Sequence, residues 1–359
     1  MKKKIAVGLS GGIDSSFAAY ILQKKGYEVA GFTLKFYPED NRCCDLDSLY
    51  QAKRLCHKLG LPHFVFDVKD IFDKQIVDYF VDSYLKGLTP NPCSYCNRNI
   101  KFGHLFQKIK SLGFDFLSTG HYARIIKHAG NYLLRQAKDK FKSQEYFLAL
   151  IKPPVLEHLV FPLGNYTKDE VEKIAKKEGL MFKERKESQD ICFVKEKLYA
   201  KFIEKNSECA DKFSGEIKHI NGETLSRHKG IYYFTYGKRH GLGISWKEPL
   251  YVIGINDSDN TVIVGEKNHL YRKNFTVSSL NWFIDAGKLF SKTKKQKNLR
   301  VKIRYNSQFY KCRAALGRDN VRVELFDAAY AVTPGQIAVF YDKDIVLGGG
   351  VIEKYNLKD

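Results

Sequence analysis

The 359-residue chain is constrained most by one short turn, Ser10-Gly11-Gly12-Ile13-Asp14-Ser15-Ser16, which follows the apolar run Lys4–Leu9 and opens the amphipathic run Ser15–Lys25. An apolar run ending in a glycine turn reads as a buried strand, and a helical pattern stopped by Gly26 reads as a helix packed on it. Two adjacent glycines let successive backbone N–H groups converge on one point, where the start of the helix adds a positive dipole end. Strand, glycine turn and helix together make a phosphate cradle in an α/β layer. The Gly-Lys-Ser/Thr of a Walker loop is missing, so splitting off a γ-phosphate is not the natural chemistry of this turn.

The first half of the chain keeps the α/β alternation. Tyr27–Phe36 reads as a second strand; Leu46, Leu49, Ala52, Leu55 and Leu59 recur at helical spacing up to Gly60; His63–Asp67 reads as a third strand. Helical patterns follow around Ile71–Leu85 and Ile100–Leu112, then a strand at Asp115–Thr119. Ser118-Thr119-Gly120-His121-Tyr122 therefore falls at the carboxyl edge of the sheet, where such folds bind ligands, and reads as a wall of the nucleotide pocket. Thr167-Lys168-Asp169-Glu170 is a capping box opening a helix that ends near Gly179. From Gly215 onward the texture is β-rich, with short runs at Gly230–Thr235, Tyr251–Ile255 and Thr261–Gly265, turn signals at Asn221-Gly222 and Asn256-Asp257, and a similar pattern over Val301–Val351. The expected fold is α/β. It comprises an N-terminal doubly wound parallel-sheet domain over residues 1–197, a small β-rich central domain over 198–268, and a C-terminal β-barrel over 269–359, with a sandwich as the alternative for the last.

The formal charge is +20, an excess that favours a polyanionic partner through counterion release. Eight Lys/Arg and no acid lie between Lys288 and Arg304, the pattern of a contact patch or a solvated loop rather than a core strand. No uncharged apolar run approaches the roughly 18–20 residues that span a bilayer, and the apolar part of the opening MKKKIAVGL is too short for a signal peptide. The expectation is a soluble, cytoplasmic chain without a membrane segment.

Eight cysteines in such a chain point to catalysis, metal binding or packing rather than disulfides. In Thr89-Pro90-Asn91-Pro92-Cys93-Ser94-Tyr95-Cys96-Asn97-Arg98 two prolines stiffen a loop ahead of a helix expected near Asn99. A thiol at a helix start beside Arg98 and Lys101 is favoured as thiolate, which makes Cys96 a nucleophile candidate. Ser188-Gln189-Asp190-Ile191-Cys192-Phe193 holds the next thiol. One thiol carrying sulfur and a second closing a disulfide after release form a workable transfer pair; the other reading of each is a buried inert thiol.

These residues carry a resemblance that runs nearly end to end: the chain resembles the MnmA-type tRNA 2-thiouridylases, PP-loop enzymes with a HUP-like domain. It rests on the Ser-Gly-Gly-x-Asp-Ser loop, the Asn-Pro-x-x-x-Cys-Asn segment followed by Ile100-Lys101-Phe102, Thr119-Gly120-His121-Tyr122, Ser188–Phe193, Gly241-Leu242-Gly243, Arg304-Tyr305, Thr333-Pro334-Gly335-Gln336 and Gly348-Gly349-Gly350. The resemblance implies ATP, with Mg²⁺, at Gly8, Leu9, Ser10, Gly11, Gly12, Ile13, Asp14, Ser15, Leu34 and Gly120. It implies Cys96 as nucleophile, Cys192 as persulfide carrier, and Asn91, Pro92 and Cys93 near the target base. Contacts to tRNA are implied at His121, Lys142, Ser143, Gln144, Arg304, Tyr305 and Gln336. The implied reaction is 2-thiolation of the wobble uridine in Lys, Glu and Gln tRNAs, with AMP and pyrophosphate released. The implied partners are tRNA and a persulfide-donating cysteine desulfurase or sulfur-relay protein.

Two positions depart from the family pattern: many members carry Asp where this chain has Cys93, and Lys-Asp-Gln where it has Lys142-Ser143-Gln144. The first opens a metal question, since Cys93, Cys96 and Cys192 could ligate a [4Fe-4S] cluster through three thiolates; the plainer reading makes Cys93 a small loop residue. Two other functions compete. One is a different PP-loop tRNA-modifying ligase, which needs no thiol pair. The other is a non-catalytic, metal-stabilised RNA-binding protein using Cys43, Cys44, Cys93 and Cys96.

Overall fold

The computed structural model describes residues 2–36, 46–180, 191–194, 198–207, 213–290 and 299–355. The chain divides into two compact units, and the division is not linear. The first holds residues 1–76, 93–196 and 344–347; the second holds 77–92, 197–343 and 348–359.

The first unit is built on five parallel strands: β1 (Lys4–Gly8), β2 (Glu28–Lys35), β3 (His63–Asp67), β4 (Phe116–Ser118) and a two-residue strand at Leu159–Val160, in the order β3-β2-β1-β4 followed by Leu159–Val160. Ile5, Val7, Phe17 and Leu22 are essentially sealed from water, so each contributes about 1.5–3 kcal/mol toward pinning β1 against the helix Ile13–Lys24. Strand order reverses between β1 and β4, so the turns leaving their carboxyl ends flank the point where doubly wound sheets bind ligands. The helix Leu46–Leu59 and the capping-box helix Lys168–Lys177 cover the sheet; Lys58 Nζ reaches the Glu178 and Gly179 carbonyls and caps the end of the latter. A hairpin, β5 (Ala123–His128) and β6 (Asn131–Gln136), extends from this unit, and Ile345 pairs with Arg135 on it. The sequence reading did not anticipate this hairpin.

Two expected helices are altered. The pattern over Ile71–Leu85 is a helix at Lys69–Phe72, a wider π turn at Asp73–Val77 and a helix at Asp78–Leu85. The pattern over Ile100–Leu112 begins earlier, at Pro92, and runs as a π helix over Cys96–Leu105 before tightening at Phe106–Ser111. Gly103 belongs to that wide turn: a Cβ there would lie 2.8 Å from the Arg98 carbonyl oxygen.

In the second unit a four-stranded sheet combines Gly215–His219, Thr224–His228, Tyr251–Asn256 and Thr261–Gly265, with Asn221-Gly222 turning the first pair as expected. The expected strand at Gly230–Thr235 is instead a 3₁₀ turn at Ile231–Tyr233, which buries the consecutive side chains of Ile231 and Tyr232; strand alternation would expose one of them. The helix Asp78–Leu85 belongs here, with Phe80 against Phe202 and Tyr84 against Tyr199. Six strands, Tyr271–Trp282, Leu299–Lys302, Tyr310–Leu316, Val321–Tyr330, Ile337–Asp342 and Ile345–Ile352, close into a barrel because the last pairs back onto the first. The glycine run makes that closure: a Cβ on Gly348 would meet the Asn281 carbonyl at 2.4 Å, and one on Gly350 the Ser278 carbonyl at 2.5 Å. The barrel is therefore the outcome, not the sandwich.

Candidate active site

The glycine turn after β1 holds itself by short hydrogen bonds. Ser15 Oγ donates to the Gly12 carbonyl at 3.0 Å and accepts from Ser10 N at 3.2 Å, and Ser16 Oγ donates to the same Gly12 carbonyl at 3.0 Å. Gly11 takes φ +72°, and a Cβ there would meet the backbone of Ser48 at 2.6 Å, so both conformation and space demand glycine. Gly120, beyond β4, lies so close to the first helical turn that a Cβ would meet Asp14 C and Ser15 N at 2.7 Å. The phosphate turn and the Gly-His turn are thus two sides of one place, and Leu34 is buried one residue before the end of β2, where it pairs with Phe66 of β3.

Asp14 is the hub. Tyr122 Oη donates to its carboxylate at 2.8 Å, and Lys168 Nζ spans both oxygens at 2.8 and 2.9 Å. Lys168 is only 8% exposed and stands at the first position of the capping-box helix, where Thr167 accepts from Glu170 N. Sequence reasoning took that segment as a helix start and missed its lysine, because Lys168 and Asp14 are 154 residues apart. The capping box was the signal that fixed its position. His121 is held neutral: burial and the charge of Lys101 push its imidazole well below the ordinary value, while Nδ1 meets Thr119 Oγ1 at 2.7 Å and the ring lies between Phe102 and Phe161.

The thiols sort by environment. Because the helix begins at Pro92, the helix-start position belongs to Cys93, which is exposed; Cys96 lies one turn further, at the head of the π helix and 9% exposed. The expectation of a helix-start thiol at Cys96 is corrected accordingly. Asn97 Nδ2 donates to the Phe147 carbonyl at 3.1 Å and ties this turn to the segment Glu145–Leu148. Cys192 is half-buried in the short described stretch 191–194, and Phe193 packs on Phe72. Cys93, Cys96 and Cys192 do not form a group that could hold a metal ion, nor does any His/Cys/Asp/Glu cluster among the described residues, so the cluster reading does not fit. Cys43 and Cys44 lie outside the described residues, as do residues 188–190 of the Cys192 motif. Cys56 and Cys312 are buried packing thiols, pushed up by burial to about 11 and about 12.

The segment 138–144 is firmly built. Ser143 Oγ accepts from Ala137 N at 2.8 Å and donates to Glu145 at 2.5 Å, both side chains being buried. Ser143 is therefore turned to the interior, and the expectation that it meets tRNA is not supported by its place. Gln144 braces Tyr122 from both sides, its N donating to the Tyr122 carbonyl at 2.7 Å and its Oε1 accepting from Tyr122 N at 2.9 Å. Lys142 adjoins it in the same segment.

The remaining predicted residues belong to the second unit. Gln336 Nε2 donates to the carbonyls of Thr89 at 2.9 Å and Pro90 at 3.3 Å, and Thr89 N donates to Pro334 O at 2.9 Å. The Thr333–Gln336 motif thus clamps the stretch leading into Asn91 and Pro92, both buried. Arg304 donates to the Tyr330 carbonyl at 3.1 Å, and Lys302 lies over the Tyr305 ring. Of the basic stretch, residues 291–298 lie outside the described residues.

Three family models match the chain: "tRNA methyl transferase HUP domain" over residues 3–196, "tRNA methyl transferase PRC-barrel domain" over 200–266 and "Aminomethyltransferase beta-barrel domain" over 272–352. The tRNA-specific 2-thiouridylase MnmA of Clostridioides difficile is 40% identical over 99% of this chain and 99% of its own, and that of Acetivibrio thermocellus 42% identical over 98% and 99%. Among solved structures, the U34-tRNA thiolase NcsA of Methanococcus maripaludis with its [4Fe-4S] cluster aligns over 58% of this chain and 65% of that one, at 22% identity and TM-score 0.37. No helix among the described residues is long and apolar enough to cross a membrane.

Proposed function

The chain belongs to the MnmA family of tRNA-specific 2-thiouridylases, and on that premise we propose that it adenylates the wobble uridine of Lys, Glu and Gln tRNAs and replaces its 2-oxygen with persulfide sulfur. Its activity is ATP-dependent 2-thiolation of tRNA. The observation that carries the finer reading is the pairing of a phosphate turn with a facing glycine turn: Gly120 lies against Asp14 and Ser15 where β1 and β4 diverge.

The chemistry follows from what a carbonyl oxygen needs in order to leave. The uridine 2-oxygen attacks the α-phosphorus of ATP, pyrophosphate departs, and the oxygen becomes part of an AMP ester. Helix N–H groups and the backbone of the glycine turn face the charge that develops on the phosphate. Asp14 is a single carboxylate at the mouth of that turn, which fits the way Mg²⁺ is held by one or two carboxylates together with substrate phosphates. Such an ion would offset phosphate charge. The terminal sulfur of a Cys192 persulfide then reaches carbon 2 and AMP leaves. Cys96 attacks the inner sulfur, forming a Cys96–Cys192 disulfide that a thiol reductant reopens; whether the sulfur travels as free sulfide or still attached distinguishes two orders of the same steps. A cysteine desulfurase or sulfur-relay protein supplies the persulfide. Arg304, Tyr305, Lys142 and the basic stretch from Lys288 are the proposed tRNA contacts, together with His121 and Gln144 beside the nucleotide turn.

The test is to incubate the protein with ATP, a persulfide source and unthiolated tRNA and to read 2-thiouridine by nucleoside mass spectrometry. AMP and pyrophosphate should appear only with tRNA present. Cys96→Ser and Cys192→Ser should each abolish thiolation and leave ATP and tRNA binding intact. ADP and phosphate as the main products, or thiolation by either variant with inorganic sulfide excluded, would refute the reading.

A further inference from the structure

The tip of the segment 138–144 carries a feature the reaction so far does not use. Phe141 is 96% exposed, the largest exposure among the large hydrophobic side chains described. Its backbone is nonetheless held firmly. Asp139 Oδ1 accepts from both Phe141 N and Lys142 N at 3.1 Å, Asp139 Oδ2 accepts from Lys168 N at 3.1 Å, and Lys138 N donates to the Gly164 carbonyl at 2.8 Å. A phenyl ring presented to water on a braced turn buries no surface of its own in this fold, and so contributes nothing to the core.

The surroundings say what it suits. Arg135, Lys138, Lys140 and Lys142 accompany one acid, Asp139, in eight residues. Glu170 pairs with Lys138 at 2.6 Å, and Asp344 is shared by Arg135 at 2.7 Å, Arg124 at 3.6 Å and Lys140 at 3.7 Å, so Arg124, Arg135, Lys138, Lys140 and Lys142 still outnumber Asp139, Glu170 and Asp344. A lone aromatic face within a positive field is the composition that binds single-stranded nucleic acid, where phosphates meet the cations and a base stacks on the ring.

The tip is also wired to the nucleotide turn. One route runs from Asp139 to Lys168 and on to Asp14; the other runs from Gln144 to Tyr122 and on to Asp14. Thiolating a base requires it to be turned out of its stack, which leaves its neighbours without a stacking partner. From these observations, and resting on the function proposed above, we infer that Phe141 is a base-stacking residue for tRNA, taking the face of an unpaired nucleotide next to the extruded uridine.

The experiment measures the affinity of the full chain for unthiolated tRNA, and ATP affinity without tRNA, in wild type, Phe141→Ala, Phe141→Leu and Phe141→Trp. Loss of one base–aromatic stack weakens binding roughly 5- to 150-fold, so the alanine variant should bind tRNA that much more weakly and leucine should not restore it. Tryptophan should keep wild-type affinity, and its emission should be quenched when tRNA is added. ATP affinity should be the same in all four. Wild-type tRNA affinity in Phe141→Ala would overturn the inference. So would a defect seen only with a protein persulfide donor and absent with a small persulfide, since that would make Phe141 a protein contact. A wild-type protein that binds tRNA yet never thiolates it would instead refute the proposed function, leaving the stacking measurement to stand on its own.

Discussion

Replacing Lys168 with methionine keeps the length of the side chain and removes one charge, which isolates what that charge does for the phosphate turn. Lys168 makes two close contacts to the Asp14 carboxylate, at 2.8 and 2.9 Å, and without it only the Tyr122 hydroxyl remains of the side-chain donors identified there. A charge-assisted hydrogen bond contributes about 1.5–3 kcal/mol. The Asp14 side chain keeps 30% of its surface exposed, so water replaces part of the loss and the lower end, about 1.5–2 kcal/mol, applies. If that energy holds Asp14 in the geometry that receives MgATP, the KM for ATP rises roughly 10- to 30-fold. The assay is pyrophosphate release against ATP at saturating tRNA, with ATP binding measured separately and a thermal melt run alongside. Tyr122→Phe removes one hydrogen bond to the same carboxylate, where Lys168→Met removes two contacts and a charge, so it should raise KM by less than Lys168→Met does. An unchanged KM in a folded Lys168→Met protein would refute the reasoning, and a lowered melting temperature with unchanged KM would make the pair a prop of the fold.

Gly120→Ala places a methyl group 2.7 Å from the backbone at Asp14 and Ser15; ATP-dependent turnover should fall by at least tenfold while tRNA affinity holds, and normal turnover would show that the two turns can part. His121 is neutral in the fold with its value lowered, whereas the unfolded chain gains that proton near pH 6.5. The unfolded state therefore binds more protons as pH falls below 6.5, and stability declines between there and the folded value; His121→Phe should flatten this decline in a melting-temperature series, and parallel curves would remove His121 from the account. Alkylation at pH 8 should label the exposed Cys93 readily and spare Cys56 and Cys312, which burial holds at about 11 and about 12; mass spectrometry finding either buried thiol modified in the native protein would contradict their packing.

What could be read from the chain in advance was whatever depended on near neighbours. The phosphate turn, the capping box at Thr167 and the Asn221-Gly222 hairpin are each specified within a few residues, and each stands where the sequence put it. Ile231-Tyr232 look like strand because they are β-branched and aromatic, and only the need to bury both in succession makes a 3₁₀ turn. The hairpin Ala123–Gln136 escaped notice because its turn, Ala129-Gly130, places a non-glycine residue at φ +47°, a conformation that alanine does not advertise. The partners of Asp14 were illegible for a different reason. Tyr122 and Lys168 reach it over 108 and 154 residues, and no local pattern encodes a meeting of that kind. Ser143 differs again: the family resemblance placed it at the tRNA, whereas its hydroxyl is bound inward by Glu145, two residues on.

The interleaving of the two units has a consequence for how the protein is made. Residues 77–92 precede most of the first unit in sequence yet count with the second, and their partners emerge late: Phe202 for Phe80, Ile255 beside Gly87, Pro334 and Gln336 for Thr89 and Pro90. A growing chain on the ribosome must therefore carry this apolar helix unsatisfied until Phe202 is added, and the loop ahead of Cys93 until Pro334 and Gln336 are added, 247 residues separating Thr89 from Gln336. Contacts that distant in sequence close slowly, and a waiting helix is open to misassembly and to chaperones. The stretch ahead of Cys93 is among the last parts to lock, so a chain released before residues 333–336 emerge would own the glycine turn after β1, Cys96 and Cys192 but lack the clamp that holds that stretch.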